Sequence, residues 1–239
     1  MTANVNVTRF PNGFVDASEV GAYQNFAQQR PFRYYSYIDD FFNYTAANWV
    51  VTETDAGSTE IITSGAGGIL AITNVSAGAT DAASLQWAGG SGAAITPFVW
   101  SSTNDMILSA RFKVDVAATT SLLIGLASVD TSPVASLPTN GIYFSQIGGA
   151  HLFASIRIAG ASTTVDMGAL VDDTYVNCVM FYNSADGTWA CYRANALVGT
   201  MTAASNTPTA ALTQTIGILN ASAAAHVLSV DYFQASVDR

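Results

Sequence analysis

The sequence predicts an all-β protein built as a two-sheet antiparallel sandwich. From residue 105 onward, apolar and polar side chains alternate with period 2, as expected of a strand with one buried face. Short segments of the same kind recur along the chain between turns rich in Gly, Asn and Asp. Half of the 239 residues are hydrophobic, which is enough to fill a core between two stacked sheets.

Residues 105–129 form the predicted centre of the fold. The first half places its apolar side chains on one face: Met106, Leu108, Ala110, Phe112, Val114 and Val116. Residues 117–120 lack this periodicity and predict a turn. Residues 121–129 are apolar on both sides, which is typical of a strand inside a packed sheet. We therefore expect a hairpin whose apolar face is covered by a second sheet.

The N-terminal residues 1–37 differ from the rest of the chain, and we predict a docking arm there, followed by one sandwich domain over 38–239. Residues 16–19 resemble a capping box that opens a short helix, which Pro31 ends. Arg and Tyr are common interface anchors, so the arm is a candidate for contact with another protein. A strap folded back on its own sandwich is the alternative. The predicted capsid or subunit contacts are Arg9, Phe10, Tyr23, Phe26, Arg30, Phe32, Arg33, Tyr34 and Tyr35.

The remaining elements follow in order. Residues 39–54 predict the first sandwich strands, with Phe41, Phe42 and Trp49 as core candidates. Residues 59–73 predict a hairpin around a glycine turn. Residues 132–139, with two prolines, predict a surface connection. Further strand patterns cover 84–87, 141–145, 151–159, 163–167, 175–182, 188–193, 213–219 and 227–237.

The composition limits the class of partner. Charged residues make up 10% of the chain, against about 25% in ordinary soluble proteins. Such a surface opposes association weakly, so we expect a subunit of an assembly, with a monomer as the alternative. The net charge of −9 argues against nucleic acid as a partner. We also expect no membrane span and no signal peptide.

Two cysteines, Cys178 and Cys191, flank a hairpin signal at residues 186–187. Either hairpin register leaves the two sulfur atoms offset along the strands, at a separation that a disulfide does not bridge easily. We predict two buried free thiols rather than a disulfide.

Four segments carry a resemblance to a known family: DDFFNY at 39–44, WVVTET at 49–54, GGILAITN at 67–74 and LSVDYF at 228–233. They resemble the first and closing strands of concanavalin A-like, laminin-G-like jelly rolls in bacteriophage virion proteins. The resemblance implies a jelly roll over residues 38–239. It also implies a place in the virion, on a capsid decoration (cement) protein or on a tail or fibre protein, after assembly in the bacterial cytoplasm.

The residues offer little chemistry. Glycosidases of this fold need two carboxylates flanking one bond, whereas Glu53 and Glu60 lack a second acid at alternate spacing in their strands. His151 and His226 have no metal-ligand spacing, and we interpret them as structural or surface residues. We therefore predict no enzyme and no catalytic residue.

Calcium and carbohydrate are two further ligands for which the sequence offers candidate residues. The loop residues Asp130, Asn140, Asp172 and Asp173 show no ligand spacing, so we predict no metal and no cofactor. Trp87 and Trp100 adjoin loop segments and are the candidates for glycan contact. A core or interface position is the other interpretation of these two side chains.

The prediction for function is a structural capsid decoration protein on the outer surface of a phage head. Its expected partners are the major capsid protein and further copies of itself, with a homotrimer expected because capsids offer threefold sites. It would stabilise the lattice by mass action. A carbohydrate-binding tail or fibre domain is the alternative, and a lyase or hydrolase is the third.

Overall fold

A computed structural model describes residues 34–54, 57–63, 68–75, 78, 80–149 and 151–238. Two antiparallel sheets stack as a sandwich, which confirms the predicted fold class. The strands are β1 Tyr34–Asp39, β2 Trp49–Glu53, β3 Thr59–Thr63, β4 Ile69–Thr73, β5 Ala82–Trp87, β6 Met106–Val114, β7 Thr120–Ala127, β8 Gly141–Gln146, β9 His151–Ile158, β10 Ala161–Ala169, β11 Val176–Asn183, β12 Thr188–Arg193, β13 Ala196–Thr202, β14 Thr213–Asn220 and β15 Val227–Asp238, with one short helix, α1 Ala203–Asn206.

The eight-stranded sheet has the order β13-β12-β11-β6-β15-β4-β3, with β1 also paired to β15. The seven-stranded sheet has the order β10-β9-β8-β7-β14-β5-β2. The long closing strand β15 pairs with β4 through its first half and with β1 through its second half. β1 therefore crosses the boundary that we placed between residues 37 and 38. Within the described ranges, no helix has the length and apolar character needed to cross a membrane.

The predicted hairpin at the centre of the fold is wrong. β6 lies in the eight-stranded sheet and β7 in the seven-stranded sheet, and a 3-10 turn at Ala117–Thr119 carries the chain between them. The predicted apolar face of β6 is buried in the core, as Leu108, Phe112 and their neighbours show. Alternation specifies which face of a strand is buried, but it does not specify which strand lies beside it.

The core lies between the two sheets, with large side chains such as Phe112, Phe144 and Trp189 at its centre. Phe41 and Trp49 are buried as predicted, whereas Phe42 is 77% exposed, so its predicted core position is wrong. The chain ends β1 before these residues, and Phe41 takes a positive φ of 46°. The strand alternation that would have buried one of the two neighbours therefore does not apply.

The hairpin of β11 and β12 settles the cysteine prediction. Cys191 lies opposite Met180, and Cys178 lies opposite Arg193. Both thiols are buried and free, as predicted. Burial raises the pKa of each thiol to about 12, so both remain protonated and poorly nucleophilic at neutral pH.

Candidate functional site

Part of the outer face of the seven-stranded sheet is covered by a loop of the same chain. The connection between β7 and β8, residues 128–140, is called the β7–β8 loop below. Its Val134 is buried against Leu123 of β7 and Tyr143 of β8, in a cluster separate from the main core. At Gly217 of β14, a Cβ atom would lie 2.6 Å from Val134 Cγ2. The loop is thus seated directly on the sheet.

Gln86 of β5 holds the start of this loop. Its Nε2 atom donates to the Ser128 carbonyl at 3.2 Å and to Thr215 Oγ1 at 3.1 Å, while its Oε1 atom accepts from the Asp130 backbone N–H at 3.0 Å. Pro133 and Pro138 are buried. The loop is the predicted surface connection, since residues 131, 135, 136 and 139 are exposed, but its apolar side chains also pack on the outer face of the sheet.

The four central strands of this face carry no carboxylate. β5, β14, β7 and β8 contain neither aspartate nor glutamate. Acid and nucleophile of a glycosidase must flank one bond, so these strands do not present that pair.

The structure brings together two glutamates that the sequence reasoning treated as separate. Ser58 Oγ lies within hydrogen-bond distance of a carboxylate oxygen of both Glu53 and Glu60, the latter at 3.0 Å. Burial raises the pKa of Glu60, and the charge of Glu53 raises it further. β2 and β3 belong to different sheets, so this pair lies where the edges of the two sheets approach, and not on a sheet face. The sequence places the two glutamates on either side of a turn, which is the signal for their approach, although it shows no second acid within either strand.

The two histidines have different surroundings. His226 is buried, with its Nε2 atom 3.0 Å from Thr119 Oγ1 and 3.1 Å from Ser222 Oγ, and its Nδ1 atom 3.3 Å from Asp115 Oδ2. It links the turn after β6 to the connection between β14 and β15. His151 lies on the surface, and its Nδ1 atom is 2.8 Å from Asp166 Oδ2. The Gly168 backbone N–H and then His151 lower the pKa of Asp166.

The loop oxygens considered for calcium each accept a hydrogen bond from a donor of the same chain. Asp130 Oδ1 accepts from the Ser132 backbone N–H, and Asn140 Oδ1 accepts from the Ala159 backbone N–H. Asp172 accepts from the Ala117 backbone N–H and Asp173 from Lys113 Nζ. In the part of the chain that the structure describes, no three His, Cys, Asp or Glu side chains form a group that could hold a metal ion.

The candidate glycan contacts Trp87 and Trp100 belong to two different aromatic groups. The Trp87 ring makes edge contacts with Tyr37 at 4.8 Å and Trp49 at 5.2 Å between centroids. The Trp100 ring lies 5.2 Å from Tyr182, and its Nε1 atom is buried without a hydrogen-bond partner among the described residues. Both side chains pack against the main core. This geometry favours the packing interpretation.

Known proteins share the fold of this chain but not its sequence. No protein-family model matches the chain, and no curated protein matches it in sequence. Among solved structures, peanut lectin has a TM-score of 0.56 at 13% identity, covering 85% of this chain and 97% of the lectin. The carbohydrate recognition domain of Emp47p has a TM-score of 0.57 at 12% identity, covering 84% and 94%. A Bacteroides ovatus GH16 mixed-linkage glucan enzyme has a TM-score of 0.59 at 10% identity, covering 83% and 99%.

The chain has the jelly-roll fold of these proteins. At such low identity the similarity establishes the fold alone, and the fold is shared by binding proteins and enzymes. The activity of a jelly roll depends on the residues that the particular chain places on the fold.

The predicted arm contacts lie mostly outside the described residues: Arg9, Phe10, Tyr23, Phe26, Arg30, Phe32 and Arg33. Tyr34 begins β1 of the jelly roll, opposite Asp238. Tyr35 of β1 is exposed, and its ring centroid lies 5.3 Å from the ring centroid of Phe98.

Phe42 is a candidate contact that the sequence reasoning missed. The Phe41 backbone N–H donates to Asp39 Oδ1 at 2.8 Å, and the Tyr37 hydroxyl donates to Asp39 Oδ2 at 2.9 Å. A Cβ atom at Gly68 would lie 2.2 Å from the Phe41 carbonyl oxygen, so this turn packs directly on the glycine. Phe41 is buried at this turn and Phe42 is exposed, beside the end of β1 where Ile38 is also exposed.

Proposed function

We propose that this chain is a structural, non-enzymatic capsid decoration protein on the outer surface of a bacteriophage head. Its partners are the major capsid protein and other copies of itself, as a homotrimer, and it is assembled in the bacterial cytoplasm. The observation that carries the proposal is Phe42, a large aromatic side chain that is 77% exposed next to a hydrogen-bonded turn. An exposed aromatic on an ordered backbone is typical of an interface anchor, because the ring buries a large apolar area and has only two side-chain torsions to fix when it binds.

The distribution of cations supports a contact made near the N-terminus. The four cations within the described residues contact partners in their own chain: Arg111 contacts Asp231, Lys113 contacts Asp173, Arg157 donates to Ser162, and Arg193 donates to the carbonyls of residues 167 and 169. Three of the remaining cations are the predicted arm contacts Arg9, Arg30 and Arg33. The resemblance of the strand segments to phage virion proteins supplies the location.

The proposed mechanism is linkage. A protein that binds the assembled lattice and not the separate subunits stabilises the lattice by the free energy of that binding. The low charge content of the chain favours such an assembly, since few like charges oppose close approach of copies.

The test is co-sedimentation of the full chain with capsids assembled without it. We expect saturable binding and a higher melting temperature of the decorated shell. Phe42→Ser should weaken binding roughly tenfold or more, as loss of an interface anchor does. Val99→Ser removes another exposed apolar side chain and serves as the matched control with unchanged binding. Equal binding of wild type and Phe42→Ser would remove the anchor from the proposal.

Carbohydrate binding by a tail or fibre domain is the second candidate. Its support is the shared fold of peanut lectin and the Emp47p carbohydrate recognition domain. A glycan array decides between the two: binding that is lost in Trp87→Ala or Trp100→Ala favours this candidate, and an array without hits favours capsid decoration.

A further inference from the structure

Four polar atoms are buried at one end of the sandwich without a hydrogen-bond partner among the described residues: Asn74 Oδ1, Thr120 Oγ1, Gln146 Oε1 and Asn220 Nδ2. The four residues are 0–2% exposed. A polar atom at this depth has lost its hydrogen bonds to bulk water, and native proteins nearly always supply another partner. The four atoms therefore indicate a shared ligand.

The four side chains point between the two sheets. Thr120 of β7, Gln146 of β8 and Asn220 of β14 each lie two residues from a core side chain of the same strand: Leu122, Phe144 and Ile218. Since alternate residues of a strand share a face, all three point inward. Asn74 follows β4 of the other sheet, and its Nδ2 atom donates to the Ile218 carbonyl at 3.3 Å.

Direct contacts join these residues into one group. Gln146 Nε2 donates to the Thr120 carbonyl at 2.8 Å. Thr120 and Asn220 lie directly opposite each other in the register of β7 and β14. Asn74 Nδ2 lies 3.5 Å from Asn220 Oδ1. The four residues, called the buried amide cluster below, thus lie together and span both sheets.

We propose that the buried amide cluster binds an ordered water molecule. The Asn220 amide donates to this water, and the water donates to Asn74 Oδ1 and Gln146 Oε1. The Thr120 hydroxyl takes the remaining position, because a hydroxyl both donates and accepts. Buried waters typically make about three hydrogen bonds of this kind. A metal ion fits the cluster less well, since it binds oxygen and would leave the Asn220 donor unpaired.

The position of the water gives it a structural role. The 3-10 turn Ala117–Thr119 carries the chain from one sheet to the other. Gln146 Nε2 donates to the carbonyls of Ala117 and Thr120, at the two ends of this turn. The water holds the oxygen of the same amide and connects it to Asn74, which follows a strand of the opposite sheet. The inference goes beyond the proposed function and does not depend on capsid binding.

The direct test is a crystal structure of the full chain at a resolution that shows ordered water. We expect a water oxygen at about 2.7–3.2 Å from Asn220 Nδ2 and from at least two of the other three atoms. Direct hydrogen bonds among the four side chains, with no water between them, would overturn the proposal. An ion with oxygen ligands at about 2.0–2.6 Å would overturn it as well.

Thr120→Val gives a second test through the sign of its effect. Valine keeps the β-branched shape and removes the hydroxyl. If the hydroxyl binds the water, its loss should lower the melting temperature by about 2–4 °C, as expected for one hydrogen bond in a chain of this size. Thr200→Val, at an exposed position of β13, is the matched control and should change it little. An unchanged or raised melting temperature of Thr120→Val would show that the hydroxyl has no partner to lose and would contradict the proposal.

Discussion

Val134 lies against Gly217, and the absence of a side chain at position 217 is what lets the β7–β8 loop rest on the seven-stranded sheet. A Cβ atom there would be 2.6 Å from Val134 Cγ2 and 3.1 Å from Ser84 Cβ. The contact between Val134 and Gly217 therefore allows the β7–β8 loop to cover this face of the sheet. In this jelly roll, part of the outer face of the seven-stranded sheet is occupied by the protein itself.

Gly217→Val should displace the loop, because the added side chain overlaps Val134. Overpacking of this kind costs about 1–3 kcal/mol, and we expect a lower melting temperature and faster proteolysis within residues 128–140. Gly149→Val is the matched control, since a Cβ atom at Gly149 has no neighbour within 4 Å. Equal proteolysis of the two variants would show that the contact does not seat the loop.

Gln86→Ala should loosen the same loop from the other side. The change leaves the Ser128 carbonyl and the Asp130 N–H without their side-chain partner, which costs about 1–3 kcal/mol if they remain buried. Urea unfolding measures the loss. Gln234→Ala is the control, because its amide makes a long 3.5 Å contact with Ser236, and it should be nearly neutral. A similar loss in both variants would contradict the role of Gln86.

Glu60→Gln should raise stability at neutral pH. Burial raises the folded-state pKa of Glu60 above its unfolded value, so the folded state favours the protonated form and loses stability as the pH rises through that pKa. Glutamine does not titrate. The gain over wild type, measured as a melting temperature, should therefore be present at pH 7 and absent at pH 3.

Asp166→Asn provides the comparison of opposite sign. The Gly168 N–H and His151 hold the pKa of Asp166 below its usual value, so its contribution is present above the unfolded pKa and is lost as the pH falls. This variant should lose stability at pH 7 and match wild type at low pH.

For the Glu60→Gln variant, a lower stability than wild type at pH 7 would contradict the prediction. It would show that the hydrogen bond between the Glu60 carboxylate and Ser58 outweighs the cost of burial.

His226→Ala should destabilise the fold by about 1–3 kcal/mol, because it removes a buried ring and takes a partner from the half-buried Thr119 hydroxyl and Asp115 carboxylate. Ser222, His226 and Asp115 also lie in the order of a nucleophile, base and carboxylate. If the role is structural, a fluorophosphonate probe should leave the protein unlabelled, and Ser222→Ala should cost less stability than His226→Ala. Labelling of wild type that is lost in Ser222→Ala would establish a reactive serine and contradict the non-enzymatic proposal.

The sequence predicted the strands better than their partners. The inner face of β6, the β3–β4 hairpin and the free thiols follow from alternation and turn signals, which act over a few residues. The pairing of β6 with β11 and β15 depends on contacts distant in sequence.

The residues of the candidate sites are positioned by features that the alternation of apolar and polar residues does not reveal. Phe41 has a positive φ, and the next residue, Phe42, is exposed. Gly217 has no side chain, which leaves room for the β7–β8 loop on the sheet. The shared Ser58 contact joined Glu53 to Glu60 across two sheets. Each of these arises from local backbone geometry or tertiary packing, so a pattern of apolar residues does not reveal it.

The proposal of a capsid decoration protein is tested most directly by locating the chain on the virion. Cryo-electron microscopy of particles that carry a tagged copy should show its density repeated over the outer surface of the head, at the threefold positions expected of a trimer. Density confined to the tail or fibres, or particles that lack the polypeptide, would contradict the proposed role.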